Sequence, residues 1–147
     1  MDIALAGAGS FELCRITGIG AAAFTTLGEA SGRSFDLLAL CRGCEVIGAY
    51  GVSARCLLLP GDSAPRFTRE IHAQQLIGYG FSPRDTLTLS SFGGSDRLLC
   101  LQRSVFTLDG TLLEPLELPL RPRLSGLSDE SALLAGGVLL LCSSVLL

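Results

Sequence analysis

Two glycine-bearing segments, one cysteine pair and one histidine are the places in this chain where residue type and spacing could do chemistry. Gly7-Ala8-Gly9-Ser10-Phe11-Glu12 follows a short apolar stretch, and glycines so placed let backbone N–H groups approach a phosphate at a helix N-terminus. That makes Gly7, Gly9 and Ser10 candidate ligand-binding residues. Glu12 stands where a dinucleotide loop has its third glycine, and would put a carboxylate beside a pyrophosphate. A second cluster, Gly18-Ile19-Gly20, sits just before a candidate helix and could serve as its N-terminal turn; glycines that only permit turns explain both. Cys41-Arg42-Gly43-Cys44 has redox or metal spacing. A thioredoxin-like pair must open a helix, yet residues 45–50 read as a strand. Zinc needs two further ligands from Cys14, Cys56, Cys100, Cys142 or His72, and none of these forms a second close pair. The motif therefore reads as a tight turn, and neither a metal nor a cofactor is expected. His72, the single histidine, lies in a polar stretch and reads as a surface residue. Glu114 and Glu117 flank Pro115 and read as solvated edge residues, not an acid/base pair.

What the chain lacks is as informative. All eleven basic residues are arginine, so Schiff-base chemistry, the lysine of a P-loop and Ser-Lys dyads are excluded. No serine or cysteine sits in a nucleophile elbow. No catalytic residue is assigned, and the expected function is a non-catalytic module that binds a small ligand or a partner protein. The alternative is an enzyme with an unfamiliar site around Asp62, His72, Tyr79, Arg84 and Asp85.

That alternative draws on residues 57–90, where Leu57-Leu58-Leu59-Pro60-Gly61-Asp62, then Ile77-Gly78-Tyr79-Gly80-Phe81-Ser82-Pro83, then Arg84-Asp85-Thr86-Leu87-Thr88-Leu89-Ser90 succeed one another. Over about residues 57–92 the pattern resembles the central domain of Mur-type peptide ligases: an apolar strand ending in an acid, a second ending in Tyr-Gly, and an alternating strand. The resemblance implies a nucleotide-binding ancestry with Asp62, Tyr79 and Gly80 near the nucleotide-side rim. Ligase activity does not carry over, because the phosphate-loop lysine is missing; a shortened relative is implied. Read from the residues alone, these are strand ends, and Asp62, Tyr79, Gly80, Ser82, Arg84 and Asp85 are ligand-binding candidates because ligands bind beyond the carboxyl ends of strands in open α/β sheets.

The elements that must position these groups follow from length and pattern. A chain of 147 residues with 48% hydrophobic and 17% charged residues predicts one domain, residues 1–147, with a sizeable core. Residues 2–6 and 35–40 read as strands and residues 19–30 as a helix, with Ala23, Phe24, Leu27 and Ala30 at helical spacing: one N-terminal βαβ-like unit. Residues 45–50, 55–59, 75–79 and 86–91 read as short strands. Asp109-Gly110 predicts a two-residue β-hairpin turn within residues 105–113, and Pro115, Pro119 and Pro122 suit an edge strand. Ser128 to Ser131 reads as the start of a C-terminal apolar helix, since residues 132–147 carry no charge. The fold class is thus α/β, one sheet-dominated domain. A formal charge of −3 with scattered arginines argues against nucleic acid. Sixteen uncharged residues fall short of a membrane span, so the segment is expected to pack on the sheet, with a homodimer through it as the other outcome. Free thiols and no positively charged, apolar leader predict a cytoplasmic location.

Overall fold

The computed structural model describes residues 1–90 and 96–142. Its first strand, β1 (Ile3–Ala6), ends at Gly7, whose φ of 122° turns the chain sharply into α1 (Ser10–Thr17). Gly9 caps that helix in the left-handed region, and Gly18 ends it there too, its N–H bonding the Cys14 carbonyl at 3.1 Å. The helix therefore precedes residue 19. Residues 19–30 instead form β2 (Ala22–Phe24) and a 3-10 turn, Leu27–Ala30. The reason is local: Gly18 and Gly20 both hold positive φ, and Glu29 accepts hydrogen bonds from the N–H groups of Thr25 and Thr26, which starts a new turn after the strand.

The chain continues through β3 (Ser34–Leu40), β4 (Val52–Pro60), a 3-10 turn at Gly61–Ser63, α2 (Ala64–Phe67), β5 (Ile71–Tyr79), β6 (Leu87–Leu89) and β7 (Leu98–Leu101). After it come β8 (Val105–Phe106), β9 (Leu112–Leu113), β10 (Leu116–Pro119), a 3-10 turn at Pro122–Leu124 and α3 (Asp129–Cys142). Eight strands form one sheet in the order β10-β7-β6-β5-β4-β3-β1-β2, parallel from β2 to β6 and antiparallel at β7 and β10. Pro115 and Pro119 fall in or beside the edge strand β10, where a missing N–H costs least. Residues 45–50 are not a strand. Gly43, Gly48 and Gly51 all hold positive φ, and only an isolated bridge between Thr26 and Glu45 remains. The β8–β9 hairpin has a three-residue loop, not two: Phe106 pairs with Leu112, Thr107 bonds Thr111, and Gly110 (φ 88°) closes the turn onto the Thr107 carbonyl.

The sheet is covered on both faces. One core holds Leu5, Leu37, Leu58, Ile77 and Leu87 under α1 and α3; the other holds Leu38, Leu57, Leu59 and Phe67 under the Leu27–Ala30 turn and α2. Connections that leave β1 in opposite directions must cross on opposite faces if both are right-handed, which accounts for this division. The register skips Asp36, Arg55 and Gln74, a row across three strands, and the Asp2 carbonyl accepts from both Asp36 and Leu37. Across that row the alternation changes face: Ala54 belongs to the second core, Cys56 to the first.

Helix α3 shows no polar stripe because it has no solvent face, and every residue from Ala132 to Leu141 is buried. Gly136 and Gly137 allow the close packing, since a Cβ there would stand 2.9 Å from Leu120 and 3.0 Å from Leu87 side-chain carbons. The apolar run thus packs within the chain over its described part and leaves no exposed patch there for a second copy. Ser91, Val145, Leu146 and Leu147 lie outside the described residues. No helix among the described residues is long and apolar enough to cross a membrane.

Candidate functional site

Strand order reverses between β1 and β3, and the loops beyond their carboxyl ends are Gly7 to Gly9 and Cys41 to Cys44. Such a switch point leaves a crevice, because the two connections depart in opposite directions. The loops touch at its base. A Cβ on Gly7 would lie 2.8 Å from that of Cys41 and 3.4 Å from that of Cys44, so the cysteine turn requires glycine here. Gly9, by contrast, has nothing within 4 Å of where its Cβ would be. Beside it opens a cavity of about 250 Å³ walled by Ala8, Gly9 and Glu12, by Cys41 and Arg42, and by Leu127, Ser128, Glu130, Ser131 and Leu134 around the start of α3. The first turns of α1 and α3 both border it.

A second cavity of about 490 Å³ adjoins the first along the same rim, lined by Gly61, Asp62, Gly80, Ser82, Arg84 and Asp85. Arg42 and Tyr79 line both. Arg42 donates through Nη1 to the two oxygens of Asp62 (2.7 and 2.8 Å) and through Nε to Glu130 (2.5 Å). The guanidinium holds the Asp62 carboxyl below the ordinary carboxylate range, and the two carboxylates raise the pKa of Arg42 further. No family model, curated protein or solved structure matches this chain.

The rim brings together most of the sequence candidates, and several of them hold one another in place. Tyr79 is fully buried, and its hydroxyl donates to the Leu40 carbonyl at 2.7 Å; burial pushes its pKa up, so it is a spacer between the cavities and not an acid. Gly61 and Gly80 make room for Asp85: a Cβ on either would fall 1.7 or 2.4 Å from an Asp85 oxygen. The Asp85 carboxylate, 7% exposed, accepts the Ser82 N–H at 3.0 Å and closes the β5–β6 loop. Gln102 Nε2 and Arg103 Nη1 donate to the carbonyls of Asp85 and Arg84 and hold the loop from outside. Ser10 turns its hydroxyl inward to the Phe24 carbonyl, which ties α1 to β2. His72 stands apart. It pairs with Ser53 near the amino end of the sheet, seven residues and about 23 Å along β5 from Tyr79.

Arg42 and Glu130 are the site residues that sequence reasoning missed. Arg42 read only as part of a tight turn, and Glu130 only as one residue of the Ser128 to Ser131 helix start; their meeting depends on α3 folding back over the sheet, 88 residues later. The flanking thiols are not poised to react. Burial, reinforced by the neighbouring Cys44, pushes Cys41 up to about 12, and burial takes Cys44 to about 11. No group of three His, Cys, Asp or Glu side chains among the described residues could hold a metal ion.

Proposed function

We propose that this chain is a non-catalytic ligand-binding module whose small-molecule ligand lodges in the paired cavities at the carboxyl end of the sheet. The observation that carries this reading is the position of the cleft at the β1/β3 switch point, with Arg42 at the junction of the two cavities. The groups lining it suit recognition better than bond chemistry: carboxylates are paired or committed to the loop, the tyrosine hydroxyl is occupied, and the cysteines are protonated at neutral pH. Differential scanning fluorimetry with ADP, UDP and UDP-linked cell-wall precursors tests it. A shift that Ala8→Trp abolishes, by filling the first cavity, is the expected result; no shift with any compound would transfer the reading to a protein partner.

A second reading, the shortened Mur-ligase-like relative, draws support from Asp62, Tyr79 and Gly80 lining one cavity. It requires that ADP or a UDP-linked precursor be preferred over inorganic pyrophosphate in the same assay.

A further inference from the structure

The junction of the two cavities carries a contact whose consequence goes beyond ligand binding as such. Arg42 meets any oxyanion that enters from either side, yet its Nη1 is already taken by both oxygens of Asp62. The two acids on Arg42 are not equivalent. Glu130 belongs to the first turn of α3 and its side chain is 35% exposed, whereas Asp62 sits on the three-residue turn Gly61–Ser63 and is 66% exposed. Among the described residues, the partners of the Asp62 carboxylate other than Arg42 are local: the neighbouring Ser63 hydroxyl at 3.1 Å and its own backbone N–H. Asp62 can therefore rotate into water while Glu130 keeps the guanidinium in place through Nε.

We infer that Asp62 is an intramolecular competitor: its carboxylate occupies on Arg42 the place that a phosphate or carboxylate group of the ligand takes, and ligand entry exchanges one for the other. This rests on the cleft being a ligand site. The exchange is a swap of one oxyanion for another on the same donor nitrogen, so the arginine need not be rebuilt or newly desolvated. Its cost is the coupling of an exposed ion pair, and removing Asp62 should return that cost as affinity.

The test is isothermal titration with ADP, as the phosphate arm, and citrate, as the carboxylate arm, into the full chain and three variants. Asp62→Asn keeps the shape and removes the competing charge; it is expected to bind about two- to fivefold tighter, the range an exposed pair allows. Arg42→Gln is expected to lose binding. Glu45→Gln removes one exposed negative charge three residues beyond Arg42 while lining neither cavity, so it corrects for net charge and is expected to match the unmodified chain. Tightening by the Asp62 variant alone supports the exchange, as does binding that becomes measurable only in that variant. Equal affinity of Asp62→Asn and the unmodified chain, or equal tightening by Glu45→Gln, overturns the exchange and leaves the ligand site standing. Binding of neither probe to any variant overturns both.

Discussion

Arg97→Met should cost the protein about 3 kcal/mol of stability. Arg97 opens the approach to β7 with 2% exposure, and its guanidinium donates to the carbonyls of Leu124, Ser125 and Leu127 and to the Asp129 carboxylate, at 2.9 to 3.1 Å. Methionine fills much of the same volume but donates nothing. Leu124 keeps a second donor, the Leu127 N–H at 3.1 Å, whereas the Ser125 and Leu127 carbonyls lose the donor they have here. Removing one member of a buried charged pair costs ~3–5 kcal/mol, and the low end applies because Asp129 is 30% exposed and water can reach it. For a domain of this size that is a fall in Tm of about 6–12 °C. Urea unfolding followed by circular dichroism measures it, with Arg97→Lys expected to fall between, since lysine restores the charge without the planar fork. A loss below about 1 kcal/mol would refute the claim that this arginine organises the α3 approach. The same variant should weaken ligand binding, because Leu127, Ser128 and Glu130 wall the first cavity.

Three further outcomes are expected. Gly80→Ala should destabilise by about 1–3 kcal/mol through collision with Asp85, and adding Asp85→Ala should recover part of that loss; additive effects in thermal melts would contradict the contact. Stability should decline above pH 9, because burial raises the Cys41 and Cys56 thiols from 9.0 to about 12 in the folded state. A folded value above the unfolded one gives stabilisation that is whole below pH 9 and lost as pH rises toward 12, at up to ~1.4 kcal/mol per pH unit for each thiol. Urea midpoints at pH 8, 9 and 10 check this, with Cys56→Ala expected to flatten the slope. Gln75→Leu should free the β8–β9 hairpin, since its amide donates to the Phe106 carbonyl (2.8 Å) and accepts the Phe106 N–H (2.9 Å). Hydrogen exchange at the Phe106 amide should then accelerate, and unchanged protection would contradict the clamp.

Segments with one dominant signal were legible in the sequence. The strands at residues 3–6 and 35–40, the second half of β5 at 75–79, the edge character of the proline-rich stretch and the helix opening at Ser128 all follow from runs, prolines and a cap, whereas the polar stretch around residues 71–74 hid the first half of β5; the Ser131 N–H bonds the Ser128 hydroxyl at 3.2 Å. Where two signals conflicted, the wrong one was preferred. Ala23, Phe24, Leu27 and Ala30 do recur at helical spacing, but Gly18 and Gly20 had already turned the chain, and β1 needed a parallel neighbour. Alternation along residues 52–60 could not assign faces, because the skipped row at Arg55 reverses them. At the rim, the identities of Asp62, Tyr79, Gly80 and Asp85 were readable while their relations were not. That the glycines serve Asp85, and that Arg42 joins Asp62 to Glu130, depends on contacts between distant segments that no local pattern encodes.

The burial of α3 on all sides also has a meaning for the chain as it is made. Synthesis runs from β1 outward, so nearly the whole sheet can leave the ribosome before the residues that seal its first face exist. During that interval Leu5, Leu58, Leu87 and Leu99 form an unshielded oily plane, and parallel pairings between distant strands close slowly. A nascent chain whose sheet has emerged ahead of α3 would therefore be a natural client for a holding chaperone. Release would depend on the helix core from Ala132 to Leu141 emerging and docking on that plane.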